Sequence, residues 1–146
     1  MPRPDEVRAA LDAVAGHLRA AADHGVDPRD VVLAGFSQGA ALALLYGLAD
    51  EAGTAGGRPR PGAVVAVAGW LPDVEGVPAT GASLATDRLL IAHGRDDDVV
   101  PFPLGRSVAR LLERRGHPVT FVEADTGHDP APLAPAVRAW LAAGPA

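Results

Sequence analysis

The sequence contains no cysteine, and this absence excludes several kinds of site at once. Without thiols the chain has no disulfide bridge, no thiolate nucleophile and no cysteine-ligated zinc. Its histidines and aspartates also lack the spacing typical of metal ligands, so we predict neither a metal ion nor another cofactor. The lack of cysteine fits a cytoplasmic protein, and we expect that location.

Positive charge is scarce as well, since 13 basic and 18 acidic side chains give a formal charge of -5. Such a chain has no basic field to hold a phosphate backbone, so nucleic acid is excluded as an expected partner. The residues after Met1 do not form a basic start followed by an apolar run, and no signal peptide is predicted. The longest apolar stretch, 39–49, is too short to span a bilayer, so we expect no stable membrane insertion.

Apolar residues are abundant, at 48% of 146 residues, which is enough for one domain with a core and too few for two. Four apolar runs show no polar alternation, a pattern typical of strands that are covered on both faces of a parallel sheet. These predicted strands are 31–36, 63–68, 89–92 and 119–122.

Helical patterns lie before, between and after these runs, at 5–24, 38 to about 50, 104–115 and 133–143. The alternation predicts an α/β fold, a single domain over 1–146 with about four parallel strands and helices on both faces. Two segments rich in Gly and Pro, 53–61 and 70–87, are predicted to be surface loops. The second leaves the carboxyl end of a strand, where open α/β sheets bind ligands.

The segment Gly35-Phe36-Ser37-Gln38-Gly39 has the form G-x-S-x-G, with an apolar strand directly before it and an apolar helix directly after it. This context is typical of a nucleophile elbow, in which a sharp turn exposes a serine hydroxyl. The tight turn requires small flanking residues, which explains the two glycines. We therefore predict Ser37 to be a nucleophile.

A serine hydroxyl needs a base, and the base needs an acid to orient it, in the chain order Ser, Asp or Glu, then His. Only His128 follows the last predicted strand, at the carboxyl edge of the sheet, so it is the predicted base. Three adjacent aspartates, Asp96, Asp97 and Asp98, follow the third strand, and chain order does not choose among them. The other histidines are assigned to the surface of the first helix (His17, His24), the opposite end of the sheet (His117) and a local hydrogen bond at the end of the third strand (His93).

Four ordered blocks make the chain resemble the phospholipase/carboxylesterase family of α/β-hydrolases, which includes acyl-protein thioesterases. The blocks are 35–40, 69–72, 93–101 and 127–128, and the resemblance extends from about 7 to 141. It implies that Ser37, Asp97 and His128 form a catalytic triad and that the backbone N–H of Gln38 is one oxyanion donor. It also implies that Trp70 and Leu71 bind substrate.

The front of the chain departs from that family, which has more strands before the nucleophile and a His-Gly-x-Gly loop that supplies a second oxyanion donor. No strand is predicted before Val31, so the resemblance is to the C-terminal half of the fold, and we expect in-frame upstream sequence to encode the rest. The strand from Val31 to Phe36 would then lie at an open edge. Three explanations compete for this open edge: a fragment or mis-started gene, which we favour, a second copy or partner chain that completes the sheet, and a reduced protein with weak activity.

Three functions are compatible with these features. The leading hypothesis is a serine carboxylesterase or thioesterase that hydrolyses small or medium acyl esters through an acyl-enzyme. A catalytically impaired remnant that acts as an interaction domain is the alternative from another class. A dienelactone-hydrolase-like enzyme is the further alternative, although that group generally has Cys at the position of Ser37.

Overall fold

The computed structural model describes residues 2–49 and 57–145. Within these ranges four parallel strands form one sheet in the order β1-β2-β3-β4, so each strand pairs with its neighbour in the sequence. The strands are β1 Val32–Phe36, β2 Ala63–Val67, β3 Arg88–Gly94 and β4 Thr120–Ala124. The predicted parallel α/β sheet is confirmed, and the strand ends move by no more than two residues.

The four predicted helices are also present, as α1 Pro4–Asp23, α2 Gln38–Leu48, α3 Phe102–Arg114 and α4 Ala134–Ala143. Short 3-10 turns at Pro28–Asp30 and Ala131–Leu133 precede β1 and α4. The end of the second predicted helix, near 50, and the start of the loop predicted at 53–61 lie outside the described residues.

Three helices cover one face of the sheet. Helix α2 has eight buried residues out of eleven because it packs on β1 and β2 and lies between α1 and α3. Its apolar side chains meet those of the sheet and of α3, for example Leu44, Val64 and Leu112. Helix α1 contributes a narrower apolar stripe, Leu11, Ala15 and Leu18, which agrees with its predicted amphipathic pattern.

The opposite face has a smaller cover. Leu133 and the partly buried Val137 and Trp140 pack over Val65 and Leu90, which lie in the two central strands. Helices on both faces are therefore confirmed. This cover does not reach β1, whose exposed residues Val32, Ala34 and Phe36 alternate with half-buried ones.

The segment between β2 and β3 takes the place of a crossover helix. Val74, Val77 and Thr86 are buried, and the backbone N–H of Ala85 donates to the carbonyl of Gly47 at 2.8 Å. The prediction of a surface loop at 70–87 is wrong for these residues, because they cover apolar side chains of α1 and α2. Gly and Pro enrichment predicted the irregular backbone and carried no information on its burial.

Among the helices of residues 2–49 and 57–145, none combines the length and the apolar character needed to cross a lipid bilayer.

Candidate active site

Ser37 lies in the sharp turn between β1 and α2. Its backbone has φ 55° and ψ -115°, in the left-handed region that residues other than glycine rarely adopt. The turn is fixed on both sides, since the N–H of Ser37 donates to the carbonyl of Val67 at 2.9 Å and its own carbonyl accepts from Ala41 at 3.0 Å. A strained residue at this place presents its side chain at the carboxyl edge of the sheet, as in a nucleophile elbow.

Two close contacts explain the small residues around this turn. A Cβ at Gly35 would overlap the backbone of Gly39, and a Cβ at Gly69 would overlap the side chain of Ala40. A Cβ at Gly39 itself would meet open space. The predicted need for a small residue therefore holds at Gly35 and is not found at Gly39.

Three side chains from three different strand ends meet in a hydrogen-bonded series. The hydroxyl of Ser37 donates to Nε2 of His128 at 3.0 Å, and Nδ1–H of His128 donates to Oδ2 of Asp97 at 2.8 Å. The residues follow β1, β3 and β4, whose carboxyl ends lie at one edge of the sheet. The structure thus brings together the three residues that the sequence and the resemblance assigned to a triad.

Asp97 differs from its two neighbours in burial and in hydrogen bonds. It is 7% exposed, whereas Asp96 and Asp98 are exposed. Its Oδ1 accepts from the backbone N–H of Val99 at 2.9 Å and of Val100 at 2.8 Å. Burial by itself would raise the pKa of Asp97, but the bonds from His128, Val100 and Val99 outweigh it, so this pKa lies below the ordinary value of an aspartate.

The loop that carries His128 is attached to the loop that carries Asp97. The backbone N–H of Asp96 donates to the carbonyl of Thr126 at 3.1 Å, and a Cβ at Gly94 would overlap that same carbonyl. The guanidinium of Arg95 donates to Asp125 at 2.8 Å and so lowers the pKa of this exposed aspartate. These contacts hold the base and the acid at one fixed separation.

The backbone N–H of Gln38 is the first of helix α2. The carbonyl of Ser37 accepts from Ala41, and this is the first bond of the helix, so the N–H groups before Ala41 have no partner within it. Such groups at a helix N-terminus favour negative charge. The N–H of Gln38 therefore has no partner within the helix, and it directly follows Ser37 in the chain.

An apolar recess of about 550 Å³ opens beside Gln38. Helix α1 contributes Val7 and Ala10 to its wall, α2 contributes Leu42, and the segment after β2 contributes Trp70. Leu71, the second predicted substrate-binding residue, does not line this recess, and its side chain packs against the core beneath the helices.

Two other histidines lie apart from this site. His117 is hydrogen-bonded to the carbonyl of Gly81 and His24 to that of Ala20, both at positions that the sequence analysis placed away from the site. Within residues 2–49 and 57–145, no group of three or more His, Asp and Glu side chains is placed to bind a metal ion.

Comparisons with known proteins identify the family of this chain. A family model described as phospholipase/carboxylesterase matches residues 3–132. The chain belongs to this family. Acyl-protein thioesterase 1 of Gibberella zeae is 32% identical over 103 residues, which are 68% of this chain and 40% of that protein.

Solved structures of an esterase and of an acyl-protein thioesterase have folds similar to that of this chain. The crystal structure of esterase PE8 has a TM-score of 0.73 and 27% identity, over 95% of this chain and 62% of that one. Zea mays acyl-protein thioesterase 2 has a TM-score of 0.64 and 32% identity, over 91% of this chain and 64% of that one. The chain thus has part of the α/β-hydrolase fold, and it spans about two-fifths of the length of the curated relatives that it matches.

Two residues near the site were not singled out by the sequence analysis for a role there. The ring of Phe36 lies 4.8 Å from that of His128 and forms one wall beside the base. His93, which was assigned to a local hydrogen bond at the end of a strand, is fully buried, with its Nε2 3.5 Å from Oδ2 of Asp97. The sequence contained one signal for this proximity, because His93 lies four residues before Asp97 in the same block of the family motif.

Proposed function

We propose that this chain carries the nucleophile, base and acid of a serine hydrolase that cleaves small or medium acyl esters or thioesters. The observation that supports the proposal most strongly is the unbroken series from Ser37 Oγ through His128 to Asp97, with distances of 3.0 and 2.8 Å. These distances lie within the range for proton transfer between a nucleophile and its base.

In the first half of the reaction, Oγ of Ser37 attacks the carbonyl carbon of the ester while its proton moves to Nε2 of His128. The imidazolium that forms is stabilised by the carboxylate of Asp97, which its low pKa keeps ionised at neutral pH. The tetrahedral oxyanion accepts a hydrogen bond from the N–H of Gln38. His128 then returns the proton to the departing alcohol or thiol, which leaves an acyl-enzyme on Ser37.

In the second half, water takes the place of the alcohol or thiol. His128 removes a proton from the water, the hydroxide attacks the acyl carbon, and Ser37 leaves with the returned proton. We place the acyl chain in the apolar recess beside Gln38, in contact with Trp70. Of the two substrate-binding residues predicted from the resemblance, Trp70 is therefore retained in this proposal as a direct contact.

The proposed reaction is slow in this chain if Gln38 is its single oxyanion donor. Removal of one such donor from a hydrolase typically costs about 10² to 10³ in turnover. A single-step covalent reaction at the serine is therefore a better test than steady-state hydrolysis, because it depends least on deacylation.

A fluorophosphonate probe tests the nucleophile directly. We expect labelling at Ser37, located by mass spectrometry of the digested protein, and no labelling of Ser37→Ala. The chain has three serines, and the exposed Ser83 provides the matched control, since Ser83→Ala should label at the wild-type rate. An absence of labelling in folded wild-type protein would contradict the proposal and favour the impaired remnant.

The place of the acyl chain is tested with p-nitrophenyl acetate, butyrate and octanoate. We expect Trp70→Ala to reduce kcat/KM more for the longer esters, whereas Trp70→Phe keeps the ring and most of the preference. Equal losses for all three esters would place the acyl chain elsewhere. The cytoplasmic location expected from the sequence stays a prediction.

A further inference from the structure

His93 is the buried polar side chain closest to the acid of the proposed triad. It lies near the end of β3 and is fully buried, and its Nε2 is 2.7 Å from the carbonyl of Val100. A carbonyl oxygen only accepts hydrogen bonds, so Nε2 carries the hydrogen and donates it. The same Nε2 is 3.5 Å from Oδ2 of Asp97, the oxygen that accepts from His128.

These contacts fix both sides of the turn that follows Asp97. The N–H of Val100 donates to Oδ1 of Asp97, while the carbonyl of Val100 accepts from His93. With Oδ1 held by two backbone N–H groups, the carboxylate plane has one orientation. In that orientation Oδ2 lies 2.8 Å from Nδ1 of His128 and 3.5 Å from Nε2 of His93.

The ring of His93 is itself held in place. Phe102 contacts it edge-on, with ring centroids 6.0 Å apart and an interplanar angle of 89°. Helix α3 approaches so closely at Gly105 that a Cβ there would overlap Nδ1 of His93. Among the described residues, no group forms a hydrogen bond with this Nδ1.

A buried nitrogen without a partner is unfavourable, whereas an apolar side chain of similar shape would leave no such atom. The hydrogen bond from Nε2 to the carbonyl of Val100 is the contact that an apolar side chain at this position could not make. That bond ends beside the catalytic acid of the proposed site.

We infer that His93 is a positioning residue of the proposed hydrolase. Its Nε2–H holds the carbonyl of Val100 and the carboxylate of Asp97, so that Oδ2 stays in line with Nδ1 of His128. The inference rests on the proposed function. It adds a second imidazole that acts through the acid and touches neither substrate nor Ser37.

Three variants separate the hydrogen bond of His93 from its bulk. His93→Leu removes the donor, whereas His93→Gln places an amide N–H near the position of Nε2. Gly105→Ala keeps the histidine and displaces its ring, and Gly16→Ala is its matched control, because a Cβ at Gly16 in helix α1 meets open space.

The first readout is the rate of fluorophosphonate labelling, measured at a temperature where circular dichroism shows each variant fully folded. We expect His93→Leu and Gly105→Ala to label about 10- to 100-fold more slowly. This is the size of effect found when a side chain that orients a metal ligand is removed, and we apply it here to a side chain that orients the acid. His93→Gln should recover most of the rate, and Gly16→Ala all of it. In ester hydrolysis the losses should appear in kcat, with KM unchanged.

The second readout does not depend on turnover. The low-field proton resonance of Nδ1–H in His128, identified by its loss in Asp97→Ala, should move upfield in His93→Leu and stay in place in His93→Gln. Wild-type rates and an unmoved resonance in His93→Leu would overturn the inference, as would equal losses in the Leu and Gln variants. A wild-type protein that does not label, with a resonance that responds to His93→Leu, would overturn the proposed function alone.

Discussion

The two halves of the candidate site are built very differently. The acid follows the inner strand β3 and the base follows β4, the other edge strand; the acid is buried, hydrogen-bonded through both oxygens and attached to the loop of the base. The nucleophile follows β1, at the edge of the sheet, where Val32 is 43% and Phe36 is 40% exposed. In the first, enclosed half the acid is buried by its own chain, whereas in the second, open half the strand that leads to the nucleophile has one face exposed to solvent.

This difference separates two requirements of the proposed chemistry. Orientation of an imidazole by a carboxylate needs burial and a complete set of hydrogen bonds, and this chain supplies both. Stabilisation of an oxyanion needs several donors that converge on one point beside the serine, and the proposed function assigns one backbone N–H to this role among the described residues, that of Gln38. Substitutions in the enclosed half should therefore lower the activity. The open half should gain activity when a further oxyanion donor is added.

The largest expected effect belongs to the acid. Asp97→Asn should lower the labelling rate of Ser37 by about 10⁴, because an amide favours the wrong tautomer of His128. Asp96→Asn, at the exposed neighbour, should leave the rate near that of the wild type. Equal effects of the two substitutions would show that the enclosed half does not orient the base.

The same substitution in two adjacent strands measures the difference in packing. Val65 in β2 packs against Leu133 and is 2% exposed. Val32 in β1 lies on the same face of the sheet and is 43% exposed. We expect Val65→Ala to lower the free energy of unfolding by about 2 kcal/mol. Val32→Ala should change it by about 0.5 kcal/mol or less. Urea denaturation would give both values, and a large loss at Val32 would mean that β1 is covered in solution.

The low pKa of Asp97 predicts a loss of stability in acid. Its folded pKa lies below the unfolded value of about 3.9, so the ionised carboxylate stabilises the fold above that pH. The contribution should disappear as the pH falls through the lower, folded pKa. We expect the free energy of unfolding, measured by urea denaturation, to fall less between pH 5 and pH 3 in Asp97→Asn than in the wild type. Asp125→Asn should reduce this fall as well, because Arg95 lowers the pKa of Asp125.

The smallest effect concerns the open edge. Self-association through β1, predicted from the sequence, should appear as a sedimentation coefficient that rises with protein concentration. Val32→Lys should reduce it, while Leu104→Lys, at a residue of nearly equal exposure on α3, should not. A wild-type protein that stays monomeric at every concentration would contradict the prediction.

Much of this fold was accessible from local patterns. Continuous apolar runs predicted four buried strands, because a parallel sheet covered on both faces needs apolar residues at every position. The same rule misjudged the two edge strands: in β1 Val32, Ala34 and Phe36 are exposed, and in β4 no residue is fully buried. Apolar character shows that a strand can be buried on both faces. It does not show that this chain contains the residues that bury it.

The sequence by itself determined the strands and helices, the strand-turn-helix context of Ser37 and the position of His128 after the last strand. Each of these depends on neighbours within a few residues, or on the rule that parallel strands end at one edge. Only the tertiary structure decided which of three adjacent aspartates is buried, where the segment after β2 packs, and that His93 lies against Asp97. Those outcomes depend on burial and on hydrogen bonds between distant parts of the chain, and local sequence does not encode either one.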